Sequence, residues 1–554
     1  MSESDGMVIA AKGEAASPLA RFPDPEFDAI IIGAGLSGMY QLYRLREMGL
    51  KVRVFETGSD VGGTWYWNRY PGARFDSESY SYGYSFSKDL LQEWDWSEHF
   101  AGQPETLRYC AYVADKFDLR PDIHFCSRVT AAEYHEHTRS WEIVLEDGSR
   151  TTARFLITAI GPLSTPTPPR INGRDDFKGQ SFHTARWPKE PIDFKGQRVA
   201  VIGTGATGVQ VIQTIASEVE HLTVFQRTPN WCAPLHNGPI DADTQAKIKE
   251  SYPEIFRRCQ ETAACFIHTP DPRGAFELSE EEREAFYEKL YSDRGFAIWQ
   301  GNLKDVLTDR AANATMSDFL ARKIRSRVKN SKIADKLIPQ NHGFGTRRLP
   351  LETFYYEVYN RDNVELVDIK ETPIERITAT GIKTNERDYQ FDTIIFATGF
   401  DAITGAFDKI DFRGVDGVKL KDKWKSGPKT YLGLMVHQFP NMMMLMGPHT
   451  ALGNIPRSIE YSVDWVTGLV RHGRLHGLTR MEATPEGVQS WTDHVNALGV
   501  GLLGNDVDSW LTGINTNVEG KTTRIVARYT GSAPSYRARC DEVAATGYAE
   551  LRLE

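Results

Sequence analysis

The feature that most constrains this chain is a pattern that occurs twice: a short apolar run, a glycine turn of the form G-x-G-x-x-G, a helical stretch, and a second apolar run. The first copy is FDAIIIGAGLSGMYQLYRLREMGLKVRVFE. Asp28–Ile32 reads as a strand buried on both faces, Met39–Met48 as a helix stopped by Gly49, and Val52–Phe55 as the next strand. The second copy is GQRVAVIGTGATGVQVIQTIASEVEHLTVFQR, with a strand at Arg198–Ile202, a helix at Gly208–Ser217 and a strand at Leu222–Phe225. Two such units commit the chain to the α/β class, with parallel sheets and two dinucleotide sites. In each site the first glycine, Gly33 or Gly203, permits the tight turn. The second, Gly35 or Gly205, lets backbone approach a pyrophosphate, and the third, Gly38 or Gly208, brings helix and strand together. The phosphate lies at the helix N-terminus, where free N–H groups and the helix dipole favour an anion. Ser37 in the first turn, and Thr204, Ala206, Thr207 and Gln210 in the second, are candidate contacts.

The two sites differ at the end of the second strand. Glu56 lies 23 residues beyond Gly33, where an acid binds a ribose diol. The second site has Gln226-Arg227-Thr228 there, with no acid. A guanidinium can take a ribose 2′-phosphate through charge-assisted hydrogen bonds, so Arg227 and Thr228 predict NADP rather than NAD. Two nucleotide sites in one chain are most economically a flavin exchanging electrons with a nicotinamide: FAD in the first, NADPH in the second.

Composition excludes other classes. With 65 Lys and Arg against 74 Asp and Glu, the net charge is −9, which argues against nucleic acid as a partner. No stretch of about 18 apolar residues is present, and no signal segment, so no membrane partner and a cytoplasmic location are expected. The six cysteines form no C-x-x-C pair, which fits reduced thiols and argues against a flavin disulfide reductase. His135-Glu136-His137 reads as a surface turn, and no metal site is expected. The stretch 1–26 reads as a loose leader. The amphipathic, charged stretch 231–335 reads as a helical insertion, within which the basic run 321–330 reads as a solvated face. FDTIIFATGFD and FPNMMMLMGPHTALGN read as buried strands ending in glycine turns, with the methionines as core packing.

Two longer motifs add a resemblance. Phe177-x-Gly179-x-x-x-His183-x-x-x-Trp187-Pro188 lies between the two units, and GGTWYWNRYPGARFD spans Gly62 to Asp76. Together with the paired glycine turns, these resemble the type I Baeyer–Villiger monooxygenases, from about Phe27 to the C-terminus. The resemblance implies an FAD-binding domain in two segments, 27–163 and 398–554. It implies an NADP-binding domain at 164–230 and 336–397, carrying the insertion 231–335. Ala159-Ile160-Gly161 and Ala397-Thr398-Gly399 resemble the crossings between domains, although the first departs from the usual Ala-Thr-Gly.

The implied activity is NADPH- and O2-dependent oxidation of a ketone to an ester or lactone through a flavin C4a-peroxide. No obligatory protein partner is implied. By position, Arg348 in GFGTRRLPLETF matches the family's catalytic arginine, and Asp76 the aspartate that orients it. An arginine stays protonated and so stabilises an oxyanion without surrendering its proton. Gly63, Thr64, Trp65, Tyr66, Trp67, Asp76, Tyr82, Val129 and Ile455 match FAD-lining positions. Arg74, Arg347, Arg348 and Trp510 match NADP positions, with Trp510 on a loop that folds over the nucleotide. His183 matches a structural or conformational histidine. His449, Leu452 and Ile455 are expected walls of the substrate pocket. The alternative reading is a flavin monooxygenase that oxidises nitrogen or sulfur. A non-catalytic NADPH sensor is a further rival, disfavoured by the intact Arg348 and Asp76.

Overall fold

The computed structural model describes residues 22–554. Two sheets organise it. The larger runs, in spatial order, through strands Asp411–Arg413, Val129–His135, Ser140–Leu145, Arg150–Thr158, Phe27–Ile32, Val52–Phe55 and Ile123–His124, with Met442–Met444 also paired to Arg150–Thr158. Phe27–Ile32 lies parallel to both Val52–Phe55 and Arg150–Thr158. The second sheet is wholly parallel, in the order Val364–Asp368, His221–Gln226, Arg198–Ile202, Thr393–Phe396, Gln180–His183. A three-stranded antiparallel sheet, Ile374–Thr378, Gly381–Thr384 and Asp388–Gln390, extends this unit.

In both sheets the glycine turn sits where the winding reverses. Gly33 leaves its strand beside Ala159, and Gly203 leaves its strand beside Ala397. At the first turn a crevice opens beyond the strands' carboxyl ends, the usual ligand position in open α/β sheets.

The stretch 231–335 is helical, with helices Ala242–Glu261, Glu280–Ser292, Ala297–Gln300 and Arg310–Arg327; a fifth, Ser331–Leu337, runs past its expected end. Asp241 and Asp309 cap their helices, and Ser279 with Glu282 forms a capping box, so these starts are locally encoded. Phe319, Leu320 and Ile324 share one core with Val199, Val201 and Val224 of the second sheet. The basic run is only partly a solvated face. Arg322 and Lys323 pair with Glu284 and Glu288 at the surface. Arg327 instead turns inward, to Glu352 at 2.7 Å and Glu357 at 2.6 Å, because Glu352 is fully buried and needs a cation. Met442, Met443, Met444 and Met446 are buried, as core packing requires.

Of the expected leader, residues 1–21 lie outside the described residues. Residues 22–26 are tied down rather than loose. The Glu26 N–H donates to Thr152 Oγ1 at 3.0 Å, and the Arg139 guanidinium sits 4.7 Å over the Phe22 ring. Among the described residues no helix is long and apolar enough to cross a membrane.

Candidate active site

The first glycine turn is a cradle that only glycine can form. Gly33 has φ +104°, and a Cβ there would lie 2.6 Å from the Ala159 carbonyl oxygen. A Cβ on Gly38 would lie 1.9 Å from the Gly33 carbonyl oxygen. The helix Leu36–Glu47 begins at Gly35 with no side-chain cap, leaving its first N–H groups for an anion. Gly35 faces Gly63, whose own Cβ would come within 2.8 Å of the Gly35 Cα. A cavity of about 500 Å³ opens over this turn. Gly33, Gly35, Ser37, Glu56, Gly63, Thr64, Trp65, Trp67, Tyr82, Val129 and Ile455 all line it. Glu56 accepts the Ala34 N–H at 2.8 Å and the Gly58 N–H at 2.6 Å, so it also shapes the loop, and its burial raises its pKa. The Trp65 indole N–H donates to the Tyr82 hydroxyl at 3.2 Å. The uncapped helix start, the facing glycines and the buried acid fit FAD.

Two expected FAD-lining positions lie outside the cavity lining: Asp76, which pairs with Arg348, and Tyr66. The Tyr66 hydroxyl accepts from the Ser59 N–H at 3.0 Å, and its ring packs beside Trp67 outside the cavity lining.

The second turn repeats the first. Gly203 has φ +111°, and a Cβ there would lie 2.5 Å from the Ala397 carbonyl oxygen. A Cβ on Gly208 would lie 2.2 Å from the Gly203 oxygen. The helix Ala206–Ile215 starts at Gly205 without a side-chain cap, with Ala206 and Thr207 in its first turn. Thr204 Oγ1 donates to the Thr228 carbonyl at 3.1 Å and closes the turn onto the next strand end. Arg227 donates to Thr516 Oγ1 at 2.7 Å. Burial, and after it the charge of Arg227, lowers the pKa of Arg347, whose buried Nε has no partner. Two guanidinium groups that repel each other, one with an orphaned donor, fit the dianionic 2′-phosphate of NADP.

Two residues expected at this nucleotide also bond across the seam between the two units. Gln210 accepts from the Tyr70 hydroxyl at 2.8 Å and donates to the Arg74 carbonyl at 3.1 Å. The Arg74 guanidinium pairs with Glu98 at 3.2 Å, so it is already neutralised. Trp510 opens a short 3-10 turn, Trp510–Thr512, and is half-buried.

Between the two turns lies an ion pair drawn from both domains. Arg348 Nη1 donates to Asp76 Oδ2 at 2.5 Å and to its neighbour's carbonyl, Leu349 O, at 2.7 Å. Asp76 is almost wholly buried, its Oδ1 has no partner, and Asn230 donates to the Arg348 carbonyl at 3.0 Å. The guanidinium sits 5.3 Å over the Phe296 ring. Phe296 in turn meets Phe266 edge-on at 5.1 Å. The helical insertion therefore supplies the floor under Arg348. The His268–Glu78 pair, at 2.7 Å, ties that insertion to the segment that carries Asp76. Glu78 and Phe296 were not picked out by sequence reasoning; Glu78 lies two residues beyond Asp76, and nothing local marks Phe296.

The motif residues form the seam at the crossings. Gly179 must lack a side chain, since a Cβ would lie 2.5 Å from the Phe177 ring and 2.6 Å from the Asp392 carbonyl oxygen. Trp187 is buried and packs on Phe182 and Phe194, and Pro188 follows it at the end of the motif. His183 Nδ1 accepts the Ala185 N–H at 3.1 Å, which leaves the ring proton on Nε2, 3.3 Å from both the Thr167 carbonyl and Thr398 Oγ1. Burial pushes its pKa down to about 4. Three cations at the FAD cavity were also missed: Arg128, Arg186 and Lys409. Arg186 falls inside the long motif, but at one of its unspecified positions.

The substrate-side expectation changes most. His449 is buried and does not line the cavity. Its Nε2 bonds the Val526 carbonyl at 2.9 Å and its Nδ1 faces Thr430 Oγ1 at 3.2 Å, so both nitrogens are spent on packing. Burial pushes its pKa down to about 4. Leu452 is half-buried against the core of the FAD domain rather than in the cavity wall. Ile455, joined by Met446 and Ile459, does line the cavity.

Comparison with known proteins matches residues 28–237 to the family described as flavin-binding monooxygenase-like. The chain is 46% identical, over 96% of its length and 99% of the relative's, to 2-oxo-Δ3-4,5,5-trimethylcyclopentenylacetyl-CoA monooxygenase of Pseudomonas putida. It is 43% identical, over 95% and 99%, to the methyl acetate-forming acetone monooxygenase of Gordonia sp. strain TY-5. Among solved structures, the OTEMO complex with FAD and NADP is similar with a TM-score of 0.92 and 45% identity, over 96% of this chain and 100% of that one.

Proposed function

The chain belongs to the Baeyer–Villiger monooxygenases, the FAD-containing, NADPH-dependent enzymes that oxidise ketones to esters or lactones with O2, and on that premise we propose how its own residues divide the work. When bound, the reduced flavin activates dioxygen and NADPH supplies the hydride. Gly33, Gly35 and Gly38 hold the FAD pyrophosphate on uncapped N–H groups, and Glu56 takes the ribose diol. Gly203, Gly205 and Gly208 do the same for NADP, while Arg227 and Arg347 divide its 2′-phosphate.

The observation that carries the reading is the Arg348–Asp76 pair. Arg348 comes from the NADP side and Asp76 from the FAD side, so the pair joins the two units. Arg348 is the fixed positive charge for the oxyanion that develops as the ketone carbonyl is attacked. Asp76 holds the guanidinium in register, and its free Oδ1 can accept one further donor. Ile455, Ile459 and Met446 give the cavity an apolar wall, which favours a neutral alicyclic or short-chain ketone over a charged one. The domain division runs through the crossings at 159–161 and 397–399, with the helical insertion belonging to the NADP side. Five of the six free thiols are buried, which supports a cytoplasmic setting.

The test is product accounting. The protein is given NADPH and O2 with a panel of cyclic and short-chain ketones, and ester is measured against NADPH consumed. One ester per NADPH with at least one ketone is expected. Sulfoxide or N-oxide from a parallel heteroatom panel, with no ester, would favour the heteroatom-oxidising reading. Hydrogen peroxide alone would remove the assigned role of Arg348.

A further inference from the structure

The FAD cavity is not built by the FAD domain alone. Ser164, Thr165, Pro166 and Pro168 reach over it from the crossing, and Arg186 reaches it from within the long motif, between His183 and Trp187. Arg186 lies over the Trp67 ring, with its Cζ 4.6 Å from the centroid. It donates to the carbonyls of Ala185 at 2.7 Å and Ser164 at 3.2 Å. Among the described residues no carboxylate stands within ion-pair distance of it. Its pKa is lowered, first by burial, then by the neighbouring Arg128, against a weaker opposing effect of Glu56.

The charges lining the cavity do not balance. Glu56 is the single acid, against the cations Arg128, Arg186 and Lys409. Arg128 has Glu146 at 3.7 Å as a partner at the surface. Arg186 has none, although it is held by two carbonyls and an aromatic face in one conformation. A fixed, uncompensated cation in a concave site costs free energy unless an anion joins it. The anion this cavity takes is the diphosphate of FAD.

We propose that Arg186 is a cofactor-binding cation delivered from the motif segment to the adenosine-diphosphate half of FAD. The inference rests on the flavoenzyme reading above and adds to it a link between the two domains. Arg186 is electrostatically coupled to Glu56 and Arg128 at the strand end that takes the ribose, and it stacks on Trp67, four residues beyond Gly63. The same segment carries His183, whose ring bonds the carbonyl of Thr167 at the crossing. FAD retention therefore depends on where the motif segment sits, and Arg186 is the contact through which that dependence acts.

The experiment measures FAD dissociation from the holoenzyme by recovery of flavin fluorescence on dilution. Tm at saturating FAD and the KM for NADPH are measured alongside it. Arg186→Gln should raise the Kd for FAD about tenfold, the size of one lost charge-assisted hydrogen bond. Arg186→Lys should recover part of that loss, and the Kd for ADP alone should rise in the Gln variant by the same factor as the Kd for FAD. Tm at saturating FAD and the NADPH KM should stay at wild-type values. An unchanged Kd with a lowered Tm would overturn the proposal and make Arg186 a staple between domains. An unchanged Kd with an unchanged Tm would overturn it equally. A wild-type protein that retains no FAD would overturn the flavoenzyme reading itself.

Discussion

The two dinucleotide turns are nearly the same object. Gly33 and Gly203 have φ +104° and +111°, and a Cβ on either would strike the carbonyl of the crossing residue, Ala159 or Ala397, at 2.6 and 2.5 Å. The helix starts at Gly35 and Gly205 share φ −77° and −75° with ψ −170° and −175°. The difference lies in what surrounds this frame. Gly35 is faced by Gly63, with the aromatic segment 64–67 behind it, whereas a Cβ on Gly205 would meet nothing within 4 Å. One strand ends in a buried Glu56 that also pins its own loop; the other ends in Arg227, which reaches across to Thr516. The backbone frame sets pyrophosphate binding in both. The walls and one side chain differ: an enclosed turn, assigned above to FAD, and an open turn, assigned above to NADP.

The largest test of this division is Arg348→Ala. The residue comes from the open unit but is assigned chemistry on the enclosed one. Ester formed per NADPH should fall about 10²- to 10³-fold, the loss seen when one preorganised oxyanion donor is removed, while FAD stays bound and NADPH is still consumed. Unchanged ester yield would return Arg348 to a purely structural role with Asp76.

Next come two matched substitutions. Gly38→Ala and Gly208→Ala place a Cβ 1.9 and 2.2 Å from a carbonyl oxygen of their own turn. Gly38→Ala should yield protein that binds FAD at least about tenfold more weakly, because helix and turn are forced apart. Gly208→Ala should stay yellow but be reduced poorly by NADPH, with dithionite reduction unaffected. Loss of flavin in both variants would mean that the two turns are not independent sites.

A smaller effect is expected at the strand end. Arg227→Ala should raise the KM for NADPH about 10- to 100-fold, the cost of one or two hydrogen bonds to a charged phosphate, and leave the KM for NADH nearly unchanged. Arg347→Ala should act in the same direction. Equal losses for NADPH and NADH would remove the 2′-phosphate contact.

What was legible in the sequence follows from how local each requirement is. A glycine turn is a property of six residues and their flanking apolar runs, so both frames and the acid-versus-arginine difference could be read directly. The helical insertion was legible for the same reason, from charged amphipathic spacing; the structure adds the caps at Asp241, Ser279 and Asp309. The Asp76–Arg348 pair joins residues 272 positions apart and was reached only through the family's motifs. Contacts that depend on a distant partner were misread. His449 looked available until Val526 and Thr430 were seen to take both of its nitrogens. Gln210 lies one turn into the second helix, and its bond to Tyr70, 140 positions away, was not legible in its own segment. Arg327 looked like one more surface cation, because nothing in its own segment announces the buried Glu352.

The two crossings differ as the two turns do, and this gives the smallest test. At the second crossing Thr398 Oγ1 donates to the Thr167 carbonyl at 2.6 Å, and the His183 ring lies against both. The first crossing has Ile160 at the equivalent place and no such ring. His183 is held neutral, with its pKa pushed down to about 4. Its unfolded value is about 6.5, so below that pH the unfolded chain binds a proton that the folded chain refuses. Stability is therefore intact above about pH 6.5, falls as pH drops from 6.5 towards 4, and loses nothing more through this group below 4. At pH 5.5 the loss is at most about 1.4 kcal/mol. His183→Gln removes the titration but also the ring's hydrogen bonds, at a cost of about 1 kcal/mol. The variant should thus be less stable than wild type at pH 7.5, and the gap should close by about 1 kcal/mol at pH 5.5. Denaturant unfolding at the two pH values, with FAD saturating, measures that gap. A gap independent of pH would mean that His183 accepts its proton in the folded protein, and that the second crossing is not held by a neutral ring.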